Sequence, residues 1–326
     1  MNWDDLRFFL ELARLKRLNY VGRKLDVDHT TVARRIEQLE AALGCRLFES
    51  KVDGYALTEA GQRLFAHAET IENGIGLLRE EALGQGVRIS GTVRIGAPEG
   101  FGTAFLTPRL ARLVDEHPDL NVELLTLPHF PSLAAREADI IVTLDPPQQG
   151  RYIASRLTDF TYGLFASKTY LKSHGPIRSA TQLQDHTLIG YMDEMLPSPQ
   201  LHYLDDIMPQ HRLRIASSGM LAQLAAVRSG LGVGVLAHFL AAGTGLVPLL
   251  PKQAVWKRTF WLVTHADWYR LRRVRTIWDF MRAAVEGESD LFLARAMRTT
   301  SRIGKRRSEM PSATAAAPVG ANRRPH

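Results

Sequence analysis

The segment from Asn19 to Leu43 most constrains this chain. It spells a short helix, a three-residue turn and a longer helix, so the two helices must cross at close range. A preceding helix over 3–16 carries an apolar stripe at Leu6, Phe9, Leu10 and Ala13. Asn19 is placed to cap the short second helix, which ends near Leu25. Asp26 and Val27 turn the chain, and Asp28 is placed to cap the third helix. Val32, Ile36, Leu39 and Leu43 form the inner face of that helix. At about 100° per residue, Thr30 and Arg34 fall opposite that stripe, with Gln38 close to them. His29 and Thr31 sit in the first turn, at the positive end of the helix dipole. Such a face suits the major groove of duplex DNA, where Thr30, Arg34 and His29 can reach base edges. Arg35 lies nearer the core edge, where either a phosphate or a carboxylate of the same chain can take it.

The next elements strengthen that reading. Asp53-Gly54 is a two-residue hairpin signal inside Leu47–Leu57, with Lys51 near the tip, placed for backbone phosphate. A helix of some 26 residues then runs from Thr58, its expected cap, to Leu83. Leu57, Gly61, Leu64, Ala68, Ile71, Ile75, Leu78 and Ala82 alternate in steps of four and three, the seam of a coiled coil. Leu64, Ala68, Ile71, Ile75 and Leu78 are the candidate dimer contacts. Gly74 and Gly76 each cost about 1 kcal/mol of helix propensity, so the far end is expected to bend or to approach a partner closely. Gly84-Gln85-Gly86 reads as a hinge.

From Gly91 onward strands alternate with helices, the pattern of an α/β domain with mainly parallel strands. Strands are expected at 92–97, 120–125, 138–143, 162–166, 232–236 and 259–264, with helices at 101–116, 131–136, 218–229 and 268–285. The last helix should bury Val274, Ile277, Trp278 and Met281. Two lobes are expected, with crossings near 159–163 and 264–267. Ligands of open α/β domains bind beyond the carboxyl ends of strands. The candidate effector residues are accordingly Glu99, Gly100, Phe101, Thr103, His129, Tyr191, Ser217 and Ser218. Helix N-termini at two of these places favour an anion, whereas Glu99 favours a donor or a cation, and the sign stays open.

Net charge is a poor guide to partners here. The +7 total divides into −1 over residues 1–90, +3 over 91–286 and +5 over 287–326, so the excess basicity sits in the tail. That tail is rich in Ala, Pro, Ser and Arg and is expected to be disordered. Its Lys305-Arg306-Arg307 either adds non-specific DNA affinity or is merely solvated. The single cysteine, Cys45, excludes a disulfide framework and reads as a small buried apolar residue. Histidines fall without metal-ligand spacing, so no metal site and no cofactor is expected. No nucleophile elbow or zincin motif occurs, and Gly230-Leu-Gly-Val-Gly lacks dinucleotide spacing and reads as a packed strand entry. No catalytic residue is therefore assigned. No apolar run reaches 18 residues and no leader pattern opens the chain, so a bacterial-type cytoplasm without membrane contact is expected.

Residues 1–83 resemble the N-terminal module of LysR-type transcriptional regulators. The matching stretches are Phe8-Phe9-Leu10, 25–36, Leu39-Glu40, Leu47-Phe48-Glu49 and Leu57-Thr58-Glu59-Ala60-Gly61. The resemblance continues through Gly91-Thr-Val-Arg-Ile-Gly, Arg136-Glu-Ala-Asp-Ile and Gly230-Leu-Gly-Val-Gly. It implies a winged helix-turn-helix over 1–60, a linker helix and hinge over 58–90, a two-lobed α/β effector domain of periplasmic-binding-protein type over 91–286, and a basic tail over 287–326. It further implies a homodimer or homotetramer on double-stranded promoter DNA, a small-molecule effector between the lobes, and RNA polymerase as a further partner. His29, Thr30, Thr31, Arg34 and Gln38 match the base-reading region, with Arg35 and Lys51 as backbone contacts. The chain departs from the family at Val21-Gly22, at Ser50 in place of Arg, and at Asp28-His29-Thr30, which shifts base preference. The competing reading is a solute-binding or catalytic α/β protein that its N-terminal helices merely dimerise.

Overall fold

The computed structural model describes residues 2–52, 54–83, 88–127, 138–196, 198–209 and 211–294. Helix α1 (Trp3–Leu15) opens on a capping box in which Asn2 and Asp5 satisfy each other's backbone N–H ends. Helices α2 (Leu18–Leu25) and α3 (His29–Leu43) follow. Helix α2 starts two residues earlier than expected, so Arg17 stands at its cap and Asn19 lies inside it. Asp28 does stand at the cap of α3, without a side-chain hydrogen bond. The two helices cross so closely that a Cβ on Gly22 would lie 2.6 Å from the Val27 carbonyl oxygen. This steric demand is why the second helix carries glycine there. Phe9, Leu10, Val21, Val32, Ile36 and Leu39 close the core.

Leu43 and Cys45 do not join that core. Helix α3 outruns it by a turn, which leaves residues 41–46 in solvent, with Leu43 40% exposed and Cys45 exposed rather than buried. The hairpin of β1 (Phe48–Lys51) and β2 (Gly54–Leu57) forms as expected and is tied to the end of α1 by Tyr55 N–H donating to the Lys16 carbonyl at 2.8 Å. The buried Glu40 carboxylate accepts the backbone N–H groups of Leu47 and Phe48 at 2.7 and 3.2 Å and pairs with Arg46 at 2.9 Å. One side chain of α3 thus sets where the hairpin begins.

Helix α4 (Glu59–Leu83) is capped by Thr58, whose hydroxyl accepts Gly61 N–H at 3.0 Å. Its expected seam divides. Ala68 is fully buried and Leu64 half-buried against the core of the same chain, because the first turns of α4 complete the three-helix module. Ile71 and Leu78 remain 42% and 64% exposed. Gly76 lies against Arg273 and Leu271 of its own chain.

The second domain begins with β3 (Gly91–Pro98), a π-helical segment Phe101–Leu106, α5 (Thr107–Glu116), β4 (Leu120–Leu127) and β5 (Ile140–Thr143). It continues with β6 (Tyr152–Ala166), α6 (Lys168–His174), β7 (Leu188–Tyr191), β8 (Leu213–Ser217), α7 (Met220–Arg228) and β9 (Val233–Ala237). It closes with α8 (His238–Ala241), β10 (Val247–Leu249), β11 (Val255–His265), α9 (Arg272–Gly287) and α10 (Ser289–Phe292). Parallel pairs β3–β4 and β3–β5 form one lobe, and parallel pairs β7–β8 and β7–β9 form the other. The long antiparallel strands β6 and β11 run through both and join them into one nine-stranded sheet.

The crossing on β6 falls where expected, but that on β11 lies nearer its middle than 264–267. Trp261–Thr264 still pair with β5 of the first lobe, while 255–259 pair with β6 alone. Phe160 and Phe260 stack face to face there, with centroids 3.9 Å apart. Val274, Ile277, Trp278 and Met281 are buried on α9 as expected. The domain runs past Glu286. Phe292 is fully buried against Phe101, Phe105 and Phe239, and Ala294 N–H donates to the buried Thr161 hydroxyl at 2.8 Å. The expected short helix at 131–136, the hinge glycines Gly84 and Gly86, and the remainder of the tail lie outside the described residues.

Candidate nucleic-acid interface and effector cleft

The outward face of α3 carries His29, Thr30, Arg34 and Gln38, all exposed, with Thr31 half-buried beside them. Next to the start of α3 opens a groove of about 470 Å³ between α2 and the hairpin. Lys16, Arg17, Tyr20, Arg23, His29 and Lys51 line it. Three cations of this groove, Lys16, Arg17 and Arg23, are not singled out by the sequence, although they flank α2 there. A groove edged by side-chain cations beside a helix N-terminus attracts phosphate oxygens through charge and through free backbone N–H groups. Lys51 is exposed at the hairpin and pairs with Glu49 at 3.1 Å.

Arg35 resolves the other way. Its guanidinium donates to Asp5 at 3.1 Å and lies over the Phe8 ring, so it locks α3 to α1 rather than facing outward. A second clasp joins α1 to α4. Arg14 meets Glu72 at 2.7 Å and Glu69 at 3.4 Å, and separately Lys24 of α2 meets Glu11 of α1 at 2.9 Å. Burial works against the charge on Arg14, but the bond to Glu72 and the nearby Glu69 and Glu11 outweigh it and raise its pKa. The outward face of α3 is therefore held rigidly with respect to the long helix.

At the cleft, Glu99 leaves the first lobe and its Oε2 accepts the Leu221 N–H at 3.1 Å, at the start of α7 in the second. Gly219 makes room for it, since a Cβ there would stand 2.5 Å from that oxygen. A second bridge, unforeseen in the sequence, runs from Asp145 to the Ser198 hydroxyl at 2.9 Å and to the Gln200 side-chain amide. The Ser217 hydroxyl donates to the Gly219 carbonyl and shapes the same turn, with Ser218 half-buried next to it.

Tyr191 stands near Glu99, and burial pushes its phenol well above the ordinary range. Gly100 is buried against Leu240, and Thr103 is exposed. Phe101 is a correction: it is buried in the aromatic core with Phe105, Phe260 and Phe292, because the π-helical segment turns it inward. His129 lies outside the described residues.

Family profiles match the two halves. Residues 3–62 match the profile described as bacterial regulatory helix-turn-helix protein, lysR family, and residues 87–286 that of the LysR substrate binding domain. Among curated proteins, the chain is 31% identical over 165 residues to the Mau operon transcriptional activator of Paracoccus denitrificans, covering 50% of this chain and 58% of that protein. It is 30% identical over 172 residues to the HTH-type transcriptional regulator HdfR of Yersinia pestis, covering 51% and 57%. The chain thus matches less than two thirds of the length of these relatives.

Among solved structures, a full-length variant of OxyR from Pseudomonas aeruginosa superposes with a TM-score of 0.66 at 20% identity, covering 86% of this chain and 95% of that one. The LysR-type regulator CrgA of Neisseria meningitidis superposes at 0.54 and 22% identity, covering 87% and 98%. These two share the fold. With both halves matched in order by the family's own profiles, this chain belongs to the LysR family of bacterial helix-turn-helix regulators.

Proposed function

We propose that the protein binds promoter DNA sequence-specifically as a homodimer or homotetramer and that a small molecule between its lobes controls how the paired modules sit on the operator. The observation that carries this is the exposed row His29, Thr30, Arg34 and Gln38 on a helix whose opposite side is locked to α1 by Arg35 and Asp5. Arg34 and Thr30 read base edges, and His29 and Gln38 extend the contact. Lys51, together with Lys16, Arg17 and Arg23, holds the phosphates. Thr31, at the first turn, supports the backbone approach. Ile71 and Leu78 supply the apolar contact to a second copy. With no helix among the described residues long and apolar enough to cross a membrane, a cytoplasmic regulator that meets RNA polymerase on the promoter fits this reading, and a catalytic role does not enter it.

The test is a gel-shift titration on DNA flanking the protein's own gene. Arg34→Ala should weaken specific binding by about 1–3 kcal/mol, or roughly five- to 150-fold, while leaving the oligomer intact by sedimentation. A wild-type chain that prefers this DNA no more than random duplex sinks the proposal. Leu78→Asp should shift the sedimenting species towards monomer.

A further inference from the structure

Helix α7 begins at the cleft without a cap of its own. Gly219 stands at its N-cap position and has no side chain to accept the first-turn N–H groups. Ser218 stands one place too early, and the Ser217 hydroxyl donates to the Gly219 carbonyl instead. The acceptor comes from the other lobe. Glu99, just after β3, lies 122 residues away along the chain, and its Oε2 takes the Leu221 N–H at 3.1 Å. A carboxylate suits that place, because the helix dipole adds to the hydrogen bond.

Gly219 is shaped to the carboxylate. Apart from its chain neighbours, the three atoms nearest a Cβ built there are the carboxyl carbon and both oxygens of Glu99, at 2.5 to 3.0 Å. The backbone of Gly219 is extended, with φ −131° and ψ 148°, a conformation open to any residue. Glycine is therefore demanded at this position by the approach of Glu99 and not by the turn.

A second carboxylate spans the cleft in the same sense, from an acceptor on the first lobe to donors on the second. Asp145, just after β5, accepts the Ser198 hydroxyl at 2.9 Å and the Gln200 side-chain amide. The loop that carries these donors is itself held. The Gln200 N–H donates to the Ser198 hydroxyl at 3.2 Å, and Arg258 of β11 donates twice to the Gln200 carbonyl, at 3.0 and 2.6 Å. Parting the lobes breaks both bridges together.

We propose that Glu99 is a built-in latch. It caps α7 from across the cleft, the lobes rest closed upon it, and an effector reaches the start of α7 only by displacing it. The inference rests on the effector reading above for its consequence, but its test needs neither DNA nor an effector. Hydrogen exchange of the full chain, read by mass spectrometry over 198–201 and 217–225, follows both bridges at once. The wild type should protect Leu221, although it is a first-turn donor. Glu99→Ala should speed its exchange about tenfold. The same variant should also speed 198–201, because the Asp145 bridge opens with the cleft. Gly219→Ala should reproduce both changes with Glu99 still present, because its methyl takes the carboxylate's place. Glu99→Gln, which keeps an acceptor, should retain much of the protection. The two alanine variants combined should exchange no faster than either alone, and α3 should exchange as in the wild type throughout. The proposal is overturned if Leu221 exchanges as fast in the wild type as in Glu99→Ala, or if Gly219→Ala leaves it protected. It is equally overturned if Glu99→Ala speeds Leu221 and leaves 198–201 unchanged, since Glu99 is then a cap for one helix and not a latch between lobes. Any of these outcomes leaves the DNA reading standing, because the Arg34→Ala gel shift does not involve the cleft.

Discussion

The DNA-binding module and the effector cleft use their carboxylates differently. In the module, Glu40 is buried but holds two backbone N–H groups and Arg46, and Arg14 is ringed by Glu72, Glu69 and Glu11. Its interior charge is paired within the module, and the residues proposed to meet DNA lie on its outer face. In the cleft, two carboxylates of the first lobe, Glu99 and Asp145, reach across and hold the second lobe. The module pairs its carboxylates within itself, whereas the cleft spends two of them on joining its lobes. In the module the residues proposed for recognition are separate from those that hold the fold, whereas in the cleft Glu99 is both a candidate effector residue and a bridge between the lobes.

If the two halves are independent in this sense, substitutions should move them one at a time. The largest effect is expected at Phe292, which is fully buried among Phe101, Phe105 and Phe239. Phe292→Ala should cost about 3–5 kcal/mol. Calorimetry should show the effector transition falling while the transition of the module stays in place; a common shift of both would break the comparison.

Glu40→Ala is the mirror test. It strips the Leu47 and Phe48 N–H groups of their acceptor, and a buried donor left unmade costs about 1–3 kcal/mol. The module transition should fall by that amount with the effector transition unmoved. Gly22→Ala is expected next, at about 1–3 kcal/mol on the same transition, because its methyl must push against the Val27 carbonyl.

Legibility follows the same division. The helix-turn-helix can be read because its geometry is local. Val32, Ile36 and Leu39 repeat at helical spacing, and the exposed Thr30, Arg34 and Gln38 follow from it by rotation alone. Arg35 stays open between two partners in the sequence because choosing Asp5 requires knowing how α1 lies across α3. The seam of α4 reads as one interface because a heptad shows which side is apolar but not what covers it. In the effector domain most elements are legible, but the cleft is not. Asp145 reaches Ser198 and Gln200 more than fifty residues away, and Glu99 reaches Leu221 across both lobes. No spacing rule connects residues that distant. Phe101 departs from expectation because a π-helical segment rotates its side chains away from their α-helical directions.

The smallest effect tests the outer surface of the module. Cys45 follows the last turn of α3, where the helix has outrun the core, and its side chain is exposed. Its backbone N–H donates to the Glu40 carbonyl at 3.2 Å. Cys45→Ser removes an exposed thiol and leaves that bond intact, so stability should change by no more than about 0.5 kcal/mol. Operator affinity should not change at all, since Cys45 lies at the opposite end of α3 from His29 and Thr30. The thiol of the folded wild type should also react freely with iodoacetamide without loss of DNA binding. Protection of Cys45 in the folded protein, or a loss of operator affinity on alkylation, would mean that the end of α3 is covered, and the separation of recognition from packing in the module would then have to be drawn elsewhere.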